Sequence, residues 1–320
     1  VVMSTNKYQK RKKKAREKMN RQIMEIGGDE EAWENWMEFR SRFHQYSLAN
    51  ASLIFAQDSD ARLVMGYKQW IEQGRQVEEG ENGILIWVPY FKTPDDEEEA
   101  EKQDVEMDEE YLAGFGTAFV FAWHQTAPIT EEDLHKYDGN AVTAEEAGTK
   151  TLPEPIPLLE GDGHKDLLRD VRRYAEQEGY EVQTYPEGAA KGRFEPRTNR
   201  IWYREGMSAN QAAKTTVHEL AHGKTYEQFG EEEIQDLGRE GMEIIAEGAA
   251  YMTCYILGLD TSEYSFPYLR HHASGDSEDE IRESVEDHLR AIDDVATEIR
   301  SGVSEVREQS EAPSTEAVPA

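Results

Sequence analysis

Apolar residues recur at helical spacing from Glu30 to Gln57 (Trp33, Trp36, Met37, Phe43, Tyr46, Leu48, Leu53, Ile54, Phe55), which predicts two helices broken near Ser47 to Asn50. Leu63 to Gln73 reads as a short strand or turn leading into a helix. A polar, glycine-bearing turn from Glu79 to Gly83 then precedes a strand, Ile84 to Phe91, with a partner strand at Thr117 to Trp123. Further on, the pattern predicts a helix over Gly163 to Gly179 and strands at Glu181 to Tyr185 and Arg200 to Tyr203. A helix starts at Ser208, where Ser208 and Gln211 have capping-box spacing. The next runs from about Glu231 to Leu257 and stops at Gly258, with Ile234, Leu237, Ile244, Ile245, Ala249, Met252 and Ile256 on its inner face. Asp279 to Ile299 repeats the helical period. Helices and strands in this order make an α+β protein.

Polar segments divide the chain. Lys7 to Arg21 holds nine basic residues and one acid, Glu17, so residues 1–28 read as a basic arm suited to nucleic acid phosphates. Residues 29–137 form the first domain, interrupted at 93–110 by a loop with eleven acids and one base, Lys102. Residues 138–160, with Pro153, Pro155 and Pro157, read as a linker, 161–302 as the second domain, and 303–320 as a disordered tail.

Charge sharpens the picture. The chain carries 35 basic against 66 acidic residues, a net charge of −31, which self-repels at ordinary salt. Concentrated salt screens such repulsion, since the Debye length falls to about 3 Å at 1 M. A salt-rich, haloarchaeal cytoplasm is therefore the expected setting. The single cysteine, Cys254, excludes an intramolecular disulfide and a thiolate zinc cluster, and reads as a core residue. No apolar run is long enough for a membrane helix, so the expectation is a cytoplasmic protein with no membrane partner.

The chemistry concentrates in HELAH, residues 218–222. His218 and His222 are four apart, share one helix face, and can coordinate one Zn²⁺ through imidazole nitrogens. Glu219 is placed beside the open coordination position, where a general base takes a proton from metal-bound water. A third ligand is needed, and the extended HExxHxxGxxH form is absent. The next helix offers Glu240, Glu243 and Glu247. Glu243 and Glu247 would both face the metal, one as ligand and one supporting it. Glu247 is favoured as the ligand because Gly248, Ala249 and Ala250 would let its helix pack closely on the HELAH helix. His271 and His272 are weaker alternatives.

At these residues the chain resembles two families. Gly192 to Ser274, with the strand at Arg200 to Tyr203, the HELAH helix and the AEGAAYM segment, resembles the ImmA/IrrE-type zinc peptidases. The resemblance implies a zincin-like, gluzincin fold with His218, His222 and Glu247 as ligands and Glu219 as general base. The stretch SLANASLIFAQDSDARLVMGYKQWIEQGRQVEEGENGILIWVPYF, followed by GFGTAFVFAWHQT, resembles the N-terminal domain of ArdC-type antirestriction proteins, which implies single-stranded DNA binding. Acids stand at Glu78, Glu79 and Glu81 where that family pattern has bases. Stacking aromatics beside a basic track would serve such binding. Candidates are Tyr67, Trp70, Trp87 and Phe91 with Arg62, Lys68 and Arg75; Lys68 and Arg75 are the favoured phosphate contacts.

Two functions follow as expectations. The first is a zinc metallopeptidase that cuts a DNA-associated protein, its peptide substrate pairing with the exposed edge of the strand at Arg200 to Tyr203. The alternative is a non-catalytic, single-stranded-DNA-binding antirestriction or plasmid-maintenance protein whose zinc is structural.

Overall fold

A computed structural model describes residues 2–137, 141–152, 165–186, 190–259, 261 and 277–311. His271 and His272 lie outside them. The chain is a mixed α+β protein of two compact units. One comprises Val1–Gln22 and Phe43–Pro153, the other Ile23–Arg42 and Glu154–Ala320. Among the described residues no helix is long and apolar enough to cross a membrane.

The first unit holds a three-stranded antiparallel sheet of order β1–β4–β3, with β1 at Val64–Gly66, β3 at Ile84–Lys92 and β4 at Tyr111–Ala122. A second, two-stranded pair joins β2 (Arg75–Val77) to β5 (Thr126–Pro128). The strand β3 lies at a sheet edge, whose outward N–H and C=O groups need partners. Helix α3 (Leu48–Phe55), capped by Ser47, and Gln57 just beyond it supply them. The Asn50 side chain donates to the Trp87 carbonyl and accepts from the Trp87 N–H, both at 2.8 Å. Gln57 does the same for Leu85, at 2.9 and 3.2 Å. The basic segment is no loose arm. It forms α1 (Val2–Gly28), whose Ala15 and Met19 pack with Leu53, Leu85 and Trp87.

Two expectations about this unit change. The acidic segment between β3 and β4 contains a helix, α5 (Glu97–Gln103), capped by Asp96. Of the expected linker, residues 141–152 fold onto the unit: the Ala144 N–H donates to the Ile129 carbonyl at 3.0 Å, and Ala144 is buried. The positive φ of Gly74, 71°, makes this possible, since a Cβ there would meet the Thr143 carbonyl oxygen at 2.5 Å.

The second unit sets a three-stranded sheet of order β6–β8–β7 among helices. β6 (Glu181–Tyr185) pairs in parallel with β8 (Arg200–Arg204), and β7 (Gly192–Glu195) pairs antiparallel on the other side. The strand expected to present a free edge, at Arg200 to Tyr203, is therefore the central one, and β7, which the periodicity missed, is one of the two edges. Helices α6 (Lys165–Gln177) and α7 (Ala209–Gln228) pack on the sheet, α2 (Glu30–Arg42) lies against α8 (Glu231–Ile256), and α7 and α8 both pack on α9 (Glu278–Glu311). The last of these runs past residue 302, so the expected tail is helical through Glu311; Val303 and Val306 are buried and extend its apolar stripe. Cys254 is fully buried in this core, as are Ile244, Ile245 and Ala249. Gly248 does allow close helix packing, but against α9: a Cβ there would meet Ile292 at 2.8 Å.

Candidate metal centre

Helix α7 is laid down by local signals. The Ser208 hydroxyl accepts the Gln211 N–H at 3.2 Å, satisfying an orphan amide of the first turn. Val217, Leu220 and Ala221 are buried, which fixes the rotation of the helix and turns His218, Glu219 and His222 toward α8 and β7. The two imidazoles meet edge to face, ring centroids 4.9 Å apart.

The third member of the cluster is Glu243. Its Oε2 lies 3.6 Å from His218 Nε2 and 3.5 Å from His222 Nε2, and the three ligand atoms all fall within 4.8 Å of one another. Donors at the corners of a tetrahedral site with bonds of about 2.1 Å stand about 3.4 Å apart, so this cluster has the span of a mononuclear site. The favoured assignment of Glu247 changes accordingly. Its carboxylate lies 2.8 Å from His218 Nδ1, on the far side of the ring from Glu243. Accepting the Nδ1 proton leaves the Nε2 lone pair toward Glu243, the arrangement in which an outer carboxylate orients a metal-binding histidine. Without metal, His218 is held protonated. Burial disfavours protonation of His218, but the carboxylates of Glu243 and Glu247 outweigh it and raise the imidazole to about 10. The same hydrogen bonds from His218 and His222 hold Glu243 well below the usual carboxylate range.

Glu219 is 7% exposed, and burial pushes its carboxyl upward, against the pull of His218 and His222 and an N–H donated by Phe194. The close approach of β7 depends on Gly192, where a Cβ would lie 2.5 Å from Glu219 Oε1. The cluster opens into a cavity of about 830 Å³. Tyr226 and Phe194, rings 5.9 Å apart, form part of its wall. Helix α8 lines another side and breaks at Gly238 (φ 60°, ψ −176°), a backbone state that glycine adopts without strain.

The nucleic-acid candidates separate by burial. Trp70 is fully buried, its indole N–H donating to the Phe121 carbonyl at 2.8 Å, so it cannot stack on a base. Arg75 is 4% exposed, donates to Thr126 and to the Thr149 carbonyl, and lies 3.7 Å over the Trp123 ring. It ties the 141–152 segment down and is withdrawn from phosphate. Arg62, Lys68, Tyr67 and Phe91 remain exposed. Trp87 is half-buried with Lys12 Nζ 5.8 Å above its ring, and the same ammonium donates to the Phe115 carbonyl. Beyond it, α1 exposes Lys10, Lys13, Lys14, Arg16 and Arg21. Sequence reasoning missed Phe115 and Phe119, both exposed on β4. They are opposite Pro89 and Leu85, on the sheet face that carries Trp87. Their even spacing in the strand was the available signal.

Residues 5–121 match the family model for the N-terminal domain of the anti-restriction factor ArdC. That segment runs from α1 to β4 and includes the exposed aromatic and basic residues just described. The whole fold is similar to the Mn(II)-bound structure of antirestriction ArdC protein from the R388 plasmid, over 93% of this chain and 98% of that one, with TM-score 0.51 and 18% identity. The metal-free structure of the R388 ArdC protein aligns over 82% of this chain and 84% of that one, with TM-score 0.45 and 18% identity. An uncharacterized protein of Bacillus anthracis is 22% identical over 85% of this chain. The chain spans about half the length of that curated relative, 49%.

Proposed function

We propose that this protein is an ArdC-like antirestriction factor that binds single-stranded DNA through its first unit and holds one divalent metal ion in its second. The ArdC match over residues 5–121 carries the reading. Its physical support is the juxtaposition of a basic helix with a sheet face bearing Trp87, Phe115 and Phe119, because stacking and phosphate neutralisation together bind single strands without sequence preference. Two imidazoles and a carboxylate suit zinc, and His218, His222 and Glu243 would hold it. Manganese is the metal in the R388 protein's structure. The test is fluorescence anisotropy of the full chain with a labelled oligothymidine across a salt series. Binding that falls steeply with salt, and a slope reduced in Lys13→Gln/Lys14→Gln, supports the reading; no binding at low salt overturns it.

A second reading is favoured by Glu219, a buried carboxyl with a raised proton affinity beside the ligand cluster and open to the cavity. On it the second unit is a zincin-like, gluzincin metallopeptidase. The metal would supply a water of lowered pKa, and Glu219 would take its proton and deliver it to the leaving amine. The edge strand β7, beside Glu219, would pair with the extended peptide. Glu219→Gln separates the two: retained antirestriction effect with metal still bound leaves the first reading alone, and loss of effect with metal bound requires the second.

A further inference from the structure

Helix α8 is two helical pieces joined at Gly238. There the backbone takes φ 60°, ψ −176°, a region essentially closed to residues that carry a Cβ. A Cβ built at Gly238 would meet nothing within 4 Å, so glycine is required for the conformation and not for space. Backbone states of this kind cluster at ligand clamps and switch regions.

The two pieces differ in how they are held. After the break, Gly241, Met242, Ile244, Ile245 and Ala246 are buried, and Gly248 lies against Ile292. Before it, Glu232, Glu233, Gln235 and Asp236 are exposed, and Ile234 and Leu237 are only half-buried. The short piece nevertheless keeps its own shape. The Glu233 carboxylate accepts the Gly230 N–H at 2.8 Å, and the Ile234 N–H donates to the Gly230 carbonyl at 2.9 Å. Phe229 and Gly230, both extended, connect it to α7. A self-capped turn between two glycines, with no fully buried side chain from Glu232 to Leu237, has the profile of an element that opens locally as a unit.

Its position gives that opening a use. Ile234 and Gln235 line the metal-centre cavity together with Phe194 and Tyr226, and β7 forms another of its walls. Glu243 comes five residues after Gly238, about 7.5 Å along the helix, on the anchored side of the break. The short piece can therefore swing without displacing the ligand cluster. We infer that Glu231–Leu237 is a lid, hinged at Gly238, that folds over an extended polypeptide held along β7 and covers one of its apolar side chains with Ile234. Closure of this kind excludes water from a reacting centre and commits the bound chain. A polypeptide is the occupant that an edge strand and a wall of Phe194, Tyr226 and Ile234 suit. The inference rests on the metallopeptidase reading of the same cavity and adds how the cavity closes.

The test is hydrogen exchange of the full chain, read by mass spectrometry, with metal content measured on the same samples. The probe is the hydroxamate of acetyl-alanyl-phenylalanine, a short peptide ending in a zinc-binding group. In the zinc-loaded chain, amides of Glu232–Leu237 are expected to exchange at least about tenfold faster than those of Ile244–Ala250, and saturating probe should slow them about tenfold. Gly238→Ala cannot take the hinge conformation and favours a continuous helix, so the same amides should slow several-fold without probe, and probe affinity should fall with zinc content unchanged. The wild-type comparison stands even if that variant folds poorly. A segment that exchanges as slowly as Ile244–Ala250 overturns the inference, as does bound probe that leaves its exchange unchanged. A zinc-loaded chain that does not take the probe overturns the peptide occupant and the inference with it. Absence of zinc from the folded chain defeats the metal reading alone; the lid is then judged on the exchange contrast and its loss in Gly238→Ala, neither of which needs metal.

Discussion

Helix α7 helps build two clusters of three ligand-type side chains, each with ligand atoms within 4.8 Å of one another, and they differ in what fills them. His218, His222 and Glu243 surround a space open to the cavity. Glu178, Glu227 and Glu298 surround Lys224, whose Nζ lies 2.5, 2.9 and 2.8 Å from the three carboxylates. Lys224 is 2% exposed, flanked by Tyr174 and Tyr180, and Tyr180 donates to Glu227 at 2.7 Å. Burial disfavours its charge, but the three glutamates more than offset that and hold it protonated. Convergent carboxylates thus do not by themselves make a metal site. In one cluster the chain supplies its own cation and gains a tie between α7, α9 and Glu178 just past the end of α6; in the other it sets two imidazoles and a carboxylate around a space open to the cavity.

The contrast can be broken most severely at the open cluster. His218→Ala should take bound zinc from about one ion per chain to none while the fold survives, since circular dichroism should be unchanged. Next is Lys224→Met, which leaves three mutually repelling glutamates around an apolar side chain. Removing one member of a buried charge cluster costs about 3 kcal/mol, the low end of the usual range here because the glutamates are partly exposed. Urea denaturation measures the loss. The same variant sharpens the comparison, because Mn²⁺ should now restore part of that stability by occupying the vacated cage.

Smaller effects follow from the supporting groups. Glu247→Gln should weaken zinc binding about tenfold to a hundredfold without abolishing it, read from competition with a chelator, because His218 loses the carboxylate that orients its ring. If Glu247 were instead the direct ligand, Glu243→Gln would be the milder change. Gly223→Ala should cost about 1–3 kcal/mol, since its Cβ would meet the Tyr180 ring at 2.6 Å. A separate effect is confined to metal-free protein. His218 is raised in the fold, so its contribution is complete below the unfolded value, about 6.5, and disappears as pH climbs through about 10. Thermal melts of the metal-free chain should therefore fall between pH 6 and pH 10, relative to His218→Gln, and zinc uptake at neutral pH should release protons.

What was legible in the sequence follows the range of the interactions. Breaks and caps, such as Ser47 before α3, Ser208 before α7 and the left-handed Gly258 after α8, depend on a few neighbouring residues. The strands β2, β5 and β7 are three or four residues long, too short for a period to register. Trp70 and Arg75 carried the right chemistry for a nucleic-acid surface, and only their packing against Phe121, Trp123 and Thr126 withdrew them from it.

The sequence by itself determined the local half of the candidate metal centre. Two histidines four apart on a capped helix share a face whatever surrounds them, and Glu219 comes with them. It also narrowed the third ligand to α8. Only the tertiary structure placed Glu243 beside both Nε2 atoms and Glu247 at His218 Nδ1, because residues one turn apart on the same face differ by about 6 Å along the helix, and which of them reaches His222 depends on how far α8 slides along α7. That position is set by contacts distant in sequence, Gly248 on Ile292 among them, and no local period encodes it.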